Sequence, residues 1–596
     1  MKRYRRFTIM LLIAIMLLQS IMGIRVYAAL ETITKSDDNS VKLTNTVDYD
    51  SIGKQIEDYV EKNKDTTAGM SVSVFDDKNV LYTGGFGYSD MANKVSVDSS
   101  TVMDWGSVTK ILTWVSVMQL EEQGKIDLES DIRNYLPENF LHNLKFEKPV
   151  TMLNLMNNDA GFEENFMGMF TNDETKIISL EEYLRNHQPA QIYEPGTVCA
   201  GTNWSTTLAG YIVQRVSGND YAQYVKENIF EPLGMKNAAI CPDLSDNQKV
   251  KEKRKQLKTY RPNLKEIKPN VTYINISPAG GCVSTIGDLT TFARELLDEN
   301  TSLFKNPSTY KELFTPSSYF GDSGVGRNYH GMWASTMYAS RVVGRDGNTA
   351  GCSCNLLIDL DNRVGIVIQT NVSQESKYIK GLPDLLFMQY ESNNANEAYR
   401  VFKPKTYQTG LLKILRLSSI TTFKSKEFYT KVNMGGVEKI EQKGSDYLIV
   451  DTKDFLLDYV TLGLYVAVMA FGIISAFVSF VKNKILKKCK KALAGWVTGA
   501  LVLTYVPVII MGVLLRYQPN TANPWSTATF QAISGAIFVV TLGMAVLFVF
   551  GLLKLLKTPK MSFLKSRVAY FMLVELSIVI AVFTSIYWNW CMFWLK

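Results

Sequence analysis

A serine and a lysine three residues apart form the sharpest chemical pattern in the sequence. Ser107 and Lys110 lie in the stretch Trp105-Gly-Ser-Val-Thr-Lys110, and an apolar run follows directly. If this stretch opens a helix, both side chains share one helical face. The helix N-terminus then adds a positive field where an oxyanion would form. The lysine can lower the serine pKa as an ammonium, or accept its proton as a neutral amine.

Metal chemistry finds no support in the sequence. The three histidines are scattered, at His142, His187 and His330, and they form no group with metal-ligand spacing. Cys352 and Cys354 flank a single residue, a spacing that suits neither a zinc knuckle nor a CxxC redox motif. We therefore expect no metal and no cofactor. One disulfide, between Cys199 and either Cys352 or Cys354, is the pairing that the sequence allows us to consider.

Further motifs surround the serine–lysine pair. They are Glu121-Glu-Gln-Gly-Lys-Ile-Asp-Leu128, Asp159-Ala-Gly-Phe-Glu163, Glu194-Pro-Gly-Thr197, Leu208-Ala-Gly-Tyr-Ile-Val-Gln-Arg-Val-Ser-Gly218, Phe230-Glu-Pro-Leu-Gly-Met235 and Pro278-Ala-Gly-Gly-Cys-Val-Ser-Thr285. Together they resemble the serine β-lactamase/penicillin-binding-protein superfamily, in particular its class C-like branch of carboxypeptidases, esterases and D-amino-acid peptidases. The resemblance covers residues 52–392.

The resemblance implies an α+β fold, an antiparallel sheet with a helical subdomain, and an active site between the two. Carried over by position, Ser107 becomes the nucleophile and Lys110 its partner. The family's second motif, Tyr-x-Asn, falls six residues after Pro195. Asn203 keeps the asparagine, but Gly201 stands where the family has a tyrosine that helps to move protons.

The third family motif, Lys-Thr-Gly or His-x-Gly, appears as Arg345-Asp346-Gly347. Arg345 keeps a positive charge that can bind a substrate carboxylate bidentately. Gly347 allows close backbone approach, so that the amides of Ser107 and Asn348 would form an oxyanion hole. Asn158 replaces a histidine that is common in this branch. The resemblance thus implies substrate binding by Asn203, Arg345, Gly347 and Asn348.

Strand patterns at both ends of this region favour the same fold. Met70–Phe75 alternates and a turn leads to Val80–Thr83, while Leu356–Asp359 and Val364–Thr370 flank a second turn. Helical patterns lie between them, at Val108–Glu122, Thr207–Val216 and Tyr221–Ile229. Terminal hairpins with helices between them predict that the end strands join one antiparallel sheet.

The net charge of +7 reflects membrane topology rather than nucleic-acid binding. Sixteen basic residues fall in three stretches without an acidic residue, namely 1–25, 482–491 and 554–567. The remainder of the chain is therefore net acidic. Stretches of this kind are typical of cytoplasmic loops beside membrane spans.

The ends of the chain predict export and anchoring. A basic start, an apolar run and Val26-Tyr27-Ala28 indicate a signal peptide over 1–28, with an uncleaved anchor as the alternative. A polar, flexible leader (29–51), the hydrolase-like domain (52–392) and an extracytoplasmic connector with some strand character (393–455) follow. The remainder, 456–596, predicts a transmembrane region of about four helices.

The four apolar runs are Tyr459–Val481, Ala492–Leu515, Phe530–Leu553 and Val568–Trp588. Each is roughly 21–24 residues, enough for a helix across about 30 Å of hydrocarbon. The basic loops 482–491 and 554–567 belong inside, which places the hydrolase-like domain outside. We therefore expect a multi-pass protein of the cell membrane.

Two functions remain open from the sequence. The first is a membrane-anchored extracytoplasmic serine hydrolase acting through an acyl-enzyme on a peptide, amide or ester, of the cell-wall D-Ala or acyl-D-amino-acid type. The chain is also similar to prodrug-activating D-amino-acid peptidases, which carry three C-terminal membrane helices. The second, suggested by Gly201, is a catalytically impaired receptor, sensor or immunity protein that binds such ligands.

Overall fold

The computed structural model describes residues 49–142, 144–166, 168–389, 400–402, 421–423, 425, 427–450, 453, 456–485, 503–507, 509–510, 527–556 and 566–588. The predicted signal peptide and nearly all of the predicted leader lie outside these residues.

The described strands follow one another in this order: β1 (Gly69–Asp76), β2 (Val80–Asp90), β3 (Val95–Ser96), β4 (Val102–Asp104), β5 (Phe170–Thr171), β6 (Ala238–Ala239), β7 (Tyr273–Ile274), β8 (Val283–Thr285), β9 (Ser318–Tyr319), β10 (Gly326–Tyr329), β11 (Met332–Ala334), β12 (Val342–Asn348), β13 (Ser353–Asp359), β14 (Val364–Thr370), β15 (Arg400–Phe402), β16 (Thr421–Thr422), β17 (Thr430–Met434), β18 (Val437–Gln442) and β19 (Ser445–Ile449).

The described α-helices are α1 (Ile52–Asn63), α2 (Lys110–Glu122), α3 (Met152–Asn157), α4 (Leu180–Asn186), α5 (Asn203–Ser217), α6 (Tyr221–Val225), α7 (Gln248–Gln256), α8 (Ser277–Gly280), α9 (Ile286–Glu295), α10 (Pro307–Leu313), α11 (Lys377–Gly381), α12 (Pro383–Leu386), α13 (Leu456–Ile485), α14 (Thr527–Leu556) and α15 (Ser566–Tyr587).

A nine-stranded antiparallel sheet forms the scaffold, in the order β3-β2-β1-β14-β13-β12-β11-β10-β9. The first strand of the region pairs with the last, from Met70 opposite Thr370 to Asp76 opposite Val364. This confirms the predicted α+β fold with an antiparallel sheet. The neighbouring strands β1, β14 and β13 are buried over almost their whole length because both faces of the sheet are covered. In β1 the alternating serines Ser71 and Ser73 are therefore buried together with the apolar residues.

Helix α2 carries the nucleophile region into the core. A short 3-10 turn, Gly106–Thr109, leads into it, and every residue from Lys110 to Leu120 is buried. A helix that is apolar all round packs on every side, and α2 contacts α5, α8 and α10. Lys110 is the one charged residue in this buried stretch. Its neighbours must therefore provide hydrogen-bond partners for its amino group.

Strand β12 runs beside this turn. On one side it pairs with β13 along its whole length, from Val342 to Asn348. On the other side its pairing with β11 involves only Val343 and Gly344. Among the described residues, the backbone from Arg345 to Asn348 is therefore left without a neighbouring strand on that side.

A second sheet lies within the predicted connector. Strands β15–β19 form a five-stranded antiparallel sheet in the order β16-β15-β19-β18-β17, called the accessory sheet below. Val401, Phe423 and Ile440 form a small apolar core in it. Its β18–β19 hairpin contacts the larger domain, as described further on.

Three long apolar helices follow the accessory sheet. Helices α13, α14 and α15 coincide with three of the four predicted spans. By length and composition, one stretch among the described residues, Leu456–Ser475, is long enough to cross a membrane, and the apolar stretches Gly535–Phe550 and Met572–Tyr587 are shorter. The predicted span Ala492–Leu515 lies mostly outside the described residues. The four-helix arrangement stays a prediction.

The predicted disulfide is wrong. Cys199, Cys352 and Cys354 are all free thiols. The thiol of Cys199 donates to the carbonyl of Asn157, whereas Cys352 packs in a separate apolar cluster with Val97, Met103 and Leu257. Cys199 and Cys352 are thus buried in different parts of the core.

Candidate active site

Two glycines bring the Ser107 turn and strand β12 into direct contact. Gly106 has φ +53°, and a Cβ there would lie 2.6 Å from the backbone nitrogen of Asn348. A Cβ at Gly347 would lie 2.7 Å from the backbone nitrogen of Ser107. Any larger residue at either position would push the strand away. The close approach places the amides of Ser107 and Asn348 beside each other, as an oxyanion hole requires.

Lys110 is a buried hydrogen-bond donor, with 2% of its surface exposed. Its Nζ lies 2.8 Å from Ser107 Oγ, 2.7 Å from Asn203 Oδ1 and 2.8 Å from the carbonyl oxygen of Ala279. The last two partners can only accept. Of the three, only the hydroxyl of Ser107 can also donate. An ammonium would give this hydroxyl its third N–H, and a neutral amine would turn its lone pair toward it.

Glu164 orients Asn203 from the other side. The carboxylate of Glu164 accepts hydrogen bonds from the backbone N–H of Asn203, at 3.0 and 3.2 Å, and from its Nδ2 at 3.1 Å. Because an ionised carboxylate can only accept, it holds the NH₂ group of Asn203 and turns Oδ1 toward Lys110. Glu164 is itself buried. Sequence reasoning missed this residue, since only its place just after the Asp159–Glu163 motif hints at a role.

The position of the missing tyrosine is occupied by another side chain. A Cβ at Gly201 would lie 2.7 Å from Oδ1 of Asn158 and 2.8 Å from its Cγ. Asn158 is buried, and its Oδ1 has no hydrogen-bond partner among the described residues. Two departures from the family pattern, at positions 158 and 201, are therefore in contact. Asn158 takes up the space that a Cβ at position 201 would need.

Arg345 is a half-buried cation with little compensation. Its Nη1 donates to the carbonyl of Gly331 at 3.2 Å, and its buried Nε has no partner among the described residues. Burial lowers the pKa of Arg345 to about 10, although the neighbouring Asp346 opposes this. No carboxylate lies within ion-pair distance among the described residues. An under-compensated guanidinium of this kind favours an anionic ligand.

The structure thus brings together most of the residues predicted from the sequence. Ser107, Lys110 and Asn203 are joined by hydrogen bonds, and Gly347 and Asn348 lie against the turn that carries Ser107. Arg345 lies two residues before Gly347 on β12. Within the described part of the chain, no group of three or more His, Cys, Asp or Glu side chains could hold a metal ion.

Asp159, one residue beyond Asn158, gives a prediction about pH and stability. Burial is the main cause that raises the pKa of Asp159 to about 6, from 3.8, and the charge of Asp446 adds to it; Asn154, Lys439 and Arg327 oppose the shift. The native state then keeps this proton between about pH 4 and pH 6, where the unfolded chain has lost it. The stabilisation from this group is complete below about pH 4 and is lost as the pH rises through 6.

Replacing Asp159 by asparagine should remove this dependence. We expect Asp159→Asn to match the wild type near pH 4 and to exceed it near pH 7 by on the order of 2–3 kcal/mol. The measurement is the melting temperature of both full-length proteins in detergent from pH 4 to pH 7. A difference in melting temperature that stays constant over this range would contradict the prediction.

The comparisons with known proteins show the family of this chain. The sequence profile of the β-lactamase family matches residues 56–386. Penicillin-binding protein 4* of Bacillus subtilis (strain 168) is 22% identical over 329 residues, which cover 52% of this chain and 70% of the relative. The human mitochondrial serine beta-lactamase-like protein LACTB is 26% identical over 328 residues, which cover 42% of this chain and 59% of the relative.

Among solved structures, the D-amino acid amidase from Ochrobactrum anthropi SV3 aligns with a TM-score of 0.44 and 19% identity. The alignment covers 56% of this chain and 96% of the amidase. The family match extends over more than half of the chain and includes every residue of the site described above. This chain is therefore a member of the β-lactamase family, the superfamily of serine hydrolases that also contains the penicillin-binding proteins.

Proposed function

We propose that the chain is a membrane-anchored, extracytoplasmic serine hydrolase that forms an acyl-enzyme with a peptide, amide or ester carrying a carboxylate. The observation that carries this proposal is the environment of Lys110. Its two obligate acceptors, Asn203 Oδ1 and the carbonyl of Ala279, leave the third position of Nζ to Ser107 Oγ at 2.8 Å.

The first half of the reaction follows from this arrangement. Oγ of Ser107 attacks the substrate carbonyl carbon while its proton moves to the neutral Nζ of Lys110. The carbonyl oxygen becomes an oxyanion, which the amides of Ser107 and Asn348 stabilise. Lys110 then returns the proton to the leaving nitrogen or oxygen, the bond to the leaving group breaks, and an ester with Ser107 remains.

The second half repeats these steps with water. Lys110 takes a proton from a water molecule that attacks the ester carbonyl, and the same amides stabilise the second oxyanion. The bond to Oγ breaks, Lys110 returns the proton to Oγ, and the carboxylic acid leaves. Lys110 acts without a tyrosine here, as in serine–lysine hydrolases.

Substrate selection is assigned to Arg345. Its guanidinium lies on the strand beside the nucleophile, under-compensated and with a free Nε donor. A substrate carboxylate would supply the missing charge. A cell-wall peptide that ends in D-Ala has such a group at its C-terminus. Cell-wall D-Ala peptides and acyl-D-amino-acid compounds remain the two substrate classes that we propose.

A ligand-binding role is the second candidate. The observation that favours it is the contact between Gly201 and Asn158, which replaces the phenol with a side chain that cannot exchange protons at neutral pH. Loss of a general acid or base typically reduces rates by about 10²–10⁴-fold. A protein of this kind would bind the same ligands and turn them over slowly or not at all.

Covalent labelling tests the proposed function. Membranes containing the full-length chain are treated with a fluorescent penicillin and with a fluorophosphonate. We expect both probes to label the wild type, in the membrane fraction, and neither to label Ser107→Ala. Ser116→Ala is the matched control, because Ser116 lies buried on the same helix and bonds only the Leu112 carbonyl. Reversible penicillin binding without an adduct would favour the binder.

Arg345 gives a separate prediction about the ligand. We expect Arg345→Ala to lower the efficiency of acylation by penicillin about 10²-fold, since a charge-assisted contact worth roughly 2–3 kcal/mol is lost. Arg345→Lys should retain part of it. Acylation by the fluorophosphonate, which has no carboxylate, should change less than about threefold. Equal losses with both probes would show that Arg345 serves the fold and not the ligand.

A further inference from the structure

The β18–β19 hairpin of the accessory sheet is bonded to the segment that carries Asn203. The backbone N–H of Asp446 donates to the carbonyl of Cys199 at 2.8 Å, and the N–H of Cys199 donates to Oδ2 of Asp446 at 2.8 Å. Ala200 forms an antiparallel bridge with Ser445. The segment Cys199–Asn203, called the motif segment below, therefore begins as a short strand on the edge of the hairpin.

The Asp446 carboxylate is fixed by buried cations from both domains. Arg327 Nη2 of the larger domain lies 2.6 Å from Oδ1, and Lys439 Nζ of the accessory sheet lies 2.7 Å from Oδ2. Lys439 also pairs with Glu441 at 3.0 Å. The side chains of these four residues are at most 5% exposed. The hairpin is thus held in one position by charges that have no access to water.

A buried ionic cluster of this kind adds little to the free energy of unfolding. Burying two pairs of charges costs several kcal/mol per ion, and well-packed apolar residues in their place are often as stable or more stable. What a buried ionic cluster does provide is one specific arrangement, because each charge must meet its partner. Here the arrangement includes the backbone of the motif segment.

The motif segment connects the hairpin to Asn203, so the position of the hairpin affects the position of Asn203. Ala200 N–H donates to the carbonyl of Asn158 at 2.7 Å, so the segment is held between the hairpin and the residue that fills the tyrosine position. Asn203 follows three residues later and accepts the hydrogen bond from Lys110. A shift of the hairpin would move Asn203 relative to Lys110.

We propose that the accessory sheet is a working part of the active site, in which Asp446 is a positioning residue that sets Asn203 against Lys110. This inference rests on the proposed hydrolase function. Strand β19 ends at Ile449 and α13 begins at Leu456, so in chain order the accessory sheet lies between the larger domain and the apolar helices.

The experiment uses Cys199 as a reporter inside the full-length protein. Burial raises the pKa of the Cys199 thiol to about 12, so iodoacetamide should alkylate it slowly while the hairpin is docked. In Asp446→Asn, the side chain loses its charge and its NH₂ group faces either Arg327 or Lys439, so docking should weaken. Alkylation of Cys199, followed by peptide mass spectrometry, should become at least about tenfold faster, while Cys282, buried elsewhere in the core, stays protected.

Acylation of Ser107 is measured on the same samples over a range of penicillin concentrations. We expect the limiting acylation rate of Asp446→Asn to fall about 10²-fold, the scale of an error of about 1 Å in catalytic geometry. The apparent penicillin affinity should change less than about threefold. The matched control is Glu438→Gln, in an exposed ion pair with Lys431 on the same sheet, and it should change neither readout.

If Asp446→Asn does not fold, Lys443→Met replaces it. Lys443 reaches Ser335 Oγ from the same hairpin, and its loss should move both readouts in the same direction by smaller amounts. Faster alkylation of Cys199 with an unchanged acylation rate would overturn the inference and leave the hydrolase standing. A wild type without any acyl adduct would overturn the proposed function, and this inference with it.

Discussion

Lys110→Ala is expected to lose Ser107 acylation as completely as Ser107→Ala, by at least about 10³-fold. Nucleophile and base act as one unit, so that removing either member costs about as much as removing both. The structure leaves no second base within hydrogen-bond distance of Ser107 Oγ among its described contacts, in which Lys110 Nζ at 2.8 Å is the partner. The measurement is the fraction of intact protein that carries the acyl adduct, followed over time by mass spectrometry.

The two roles that the sequence left open for the lysine can be separated. In Lys110→Arg the positive charge remains, but a guanidinium cannot take up a proton near neutral pH. If Lys110 is the base, Lys110→Arg should be as inactive as Lys110→Ala, and wild-type acylation should rise over roughly pH 6–10 as the amine becomes neutral. A pH-independent rate, or substantial activity in Lys110→Arg, would contradict the general-base mechanism and favour purely electrostatic activation.

Gly201→Tyr is expected to damage the protein by itself and to help only when Asn158 is replaced with it. A Cβ at position 201 would overlap Asn158 Oδ1 at 2.7 Å and Cγ at 2.8 Å. The single variant should therefore lower the melting temperature and acylation together, as overpacking of a filled site usually costs about 1–3 kcal/mol.

The double variant Asn158→Gly with Gly201→Tyr removes this overlap. Asn158 has φ +58°, a left-handed conformation that glycine adopts readily, so glycine is the suitable replacement. We expect the double variant to recover the melting temperature and to acylate faster than the wild type, up to about 10²-fold if the phenol reaches Ser107 and Lys110. Asn158→Gly alone is the control. Equal rates in the double variant and in this control would show that the phenol does not take part.

Several features of the chain follow from local sequence alone. The serine–lysine pair and the following apolar run predict a buried helix that begins at this pair, and the structure has that helix. The strand Val364–Thr370 was predicted with its exact bounds, and its pairing with the first strand is confirmed. These features depend on period-2 and period-3.6 patterns and on short spacings, which a sequence displays directly.

The start of helix α5 shows where the apolar pattern of the sequence does not suffice to place the end of a helix. The sequence placed a helix at Thr207, whereas α5 begins at Asn203 with Thr202 as its cap. In its first turn, Asn203 faces Lys110 and Glu164 rather than the apolar core. A functional residue thus interrupts the apolar pattern from which the helix was predicted.

Tertiary structure alone decided the remaining parts of the site. Glu164 reaches Asn203 across 39 positions of sequence, and Asp446 reaches Cys199 across 247. Asn158 fills the place of a tyrosine that belongs to position 201. No periodicity links such residues, because their contact results from how loops and two sheets pack against one another. The sequence determined which groups could react, and packing determined which neighbours hold them in place.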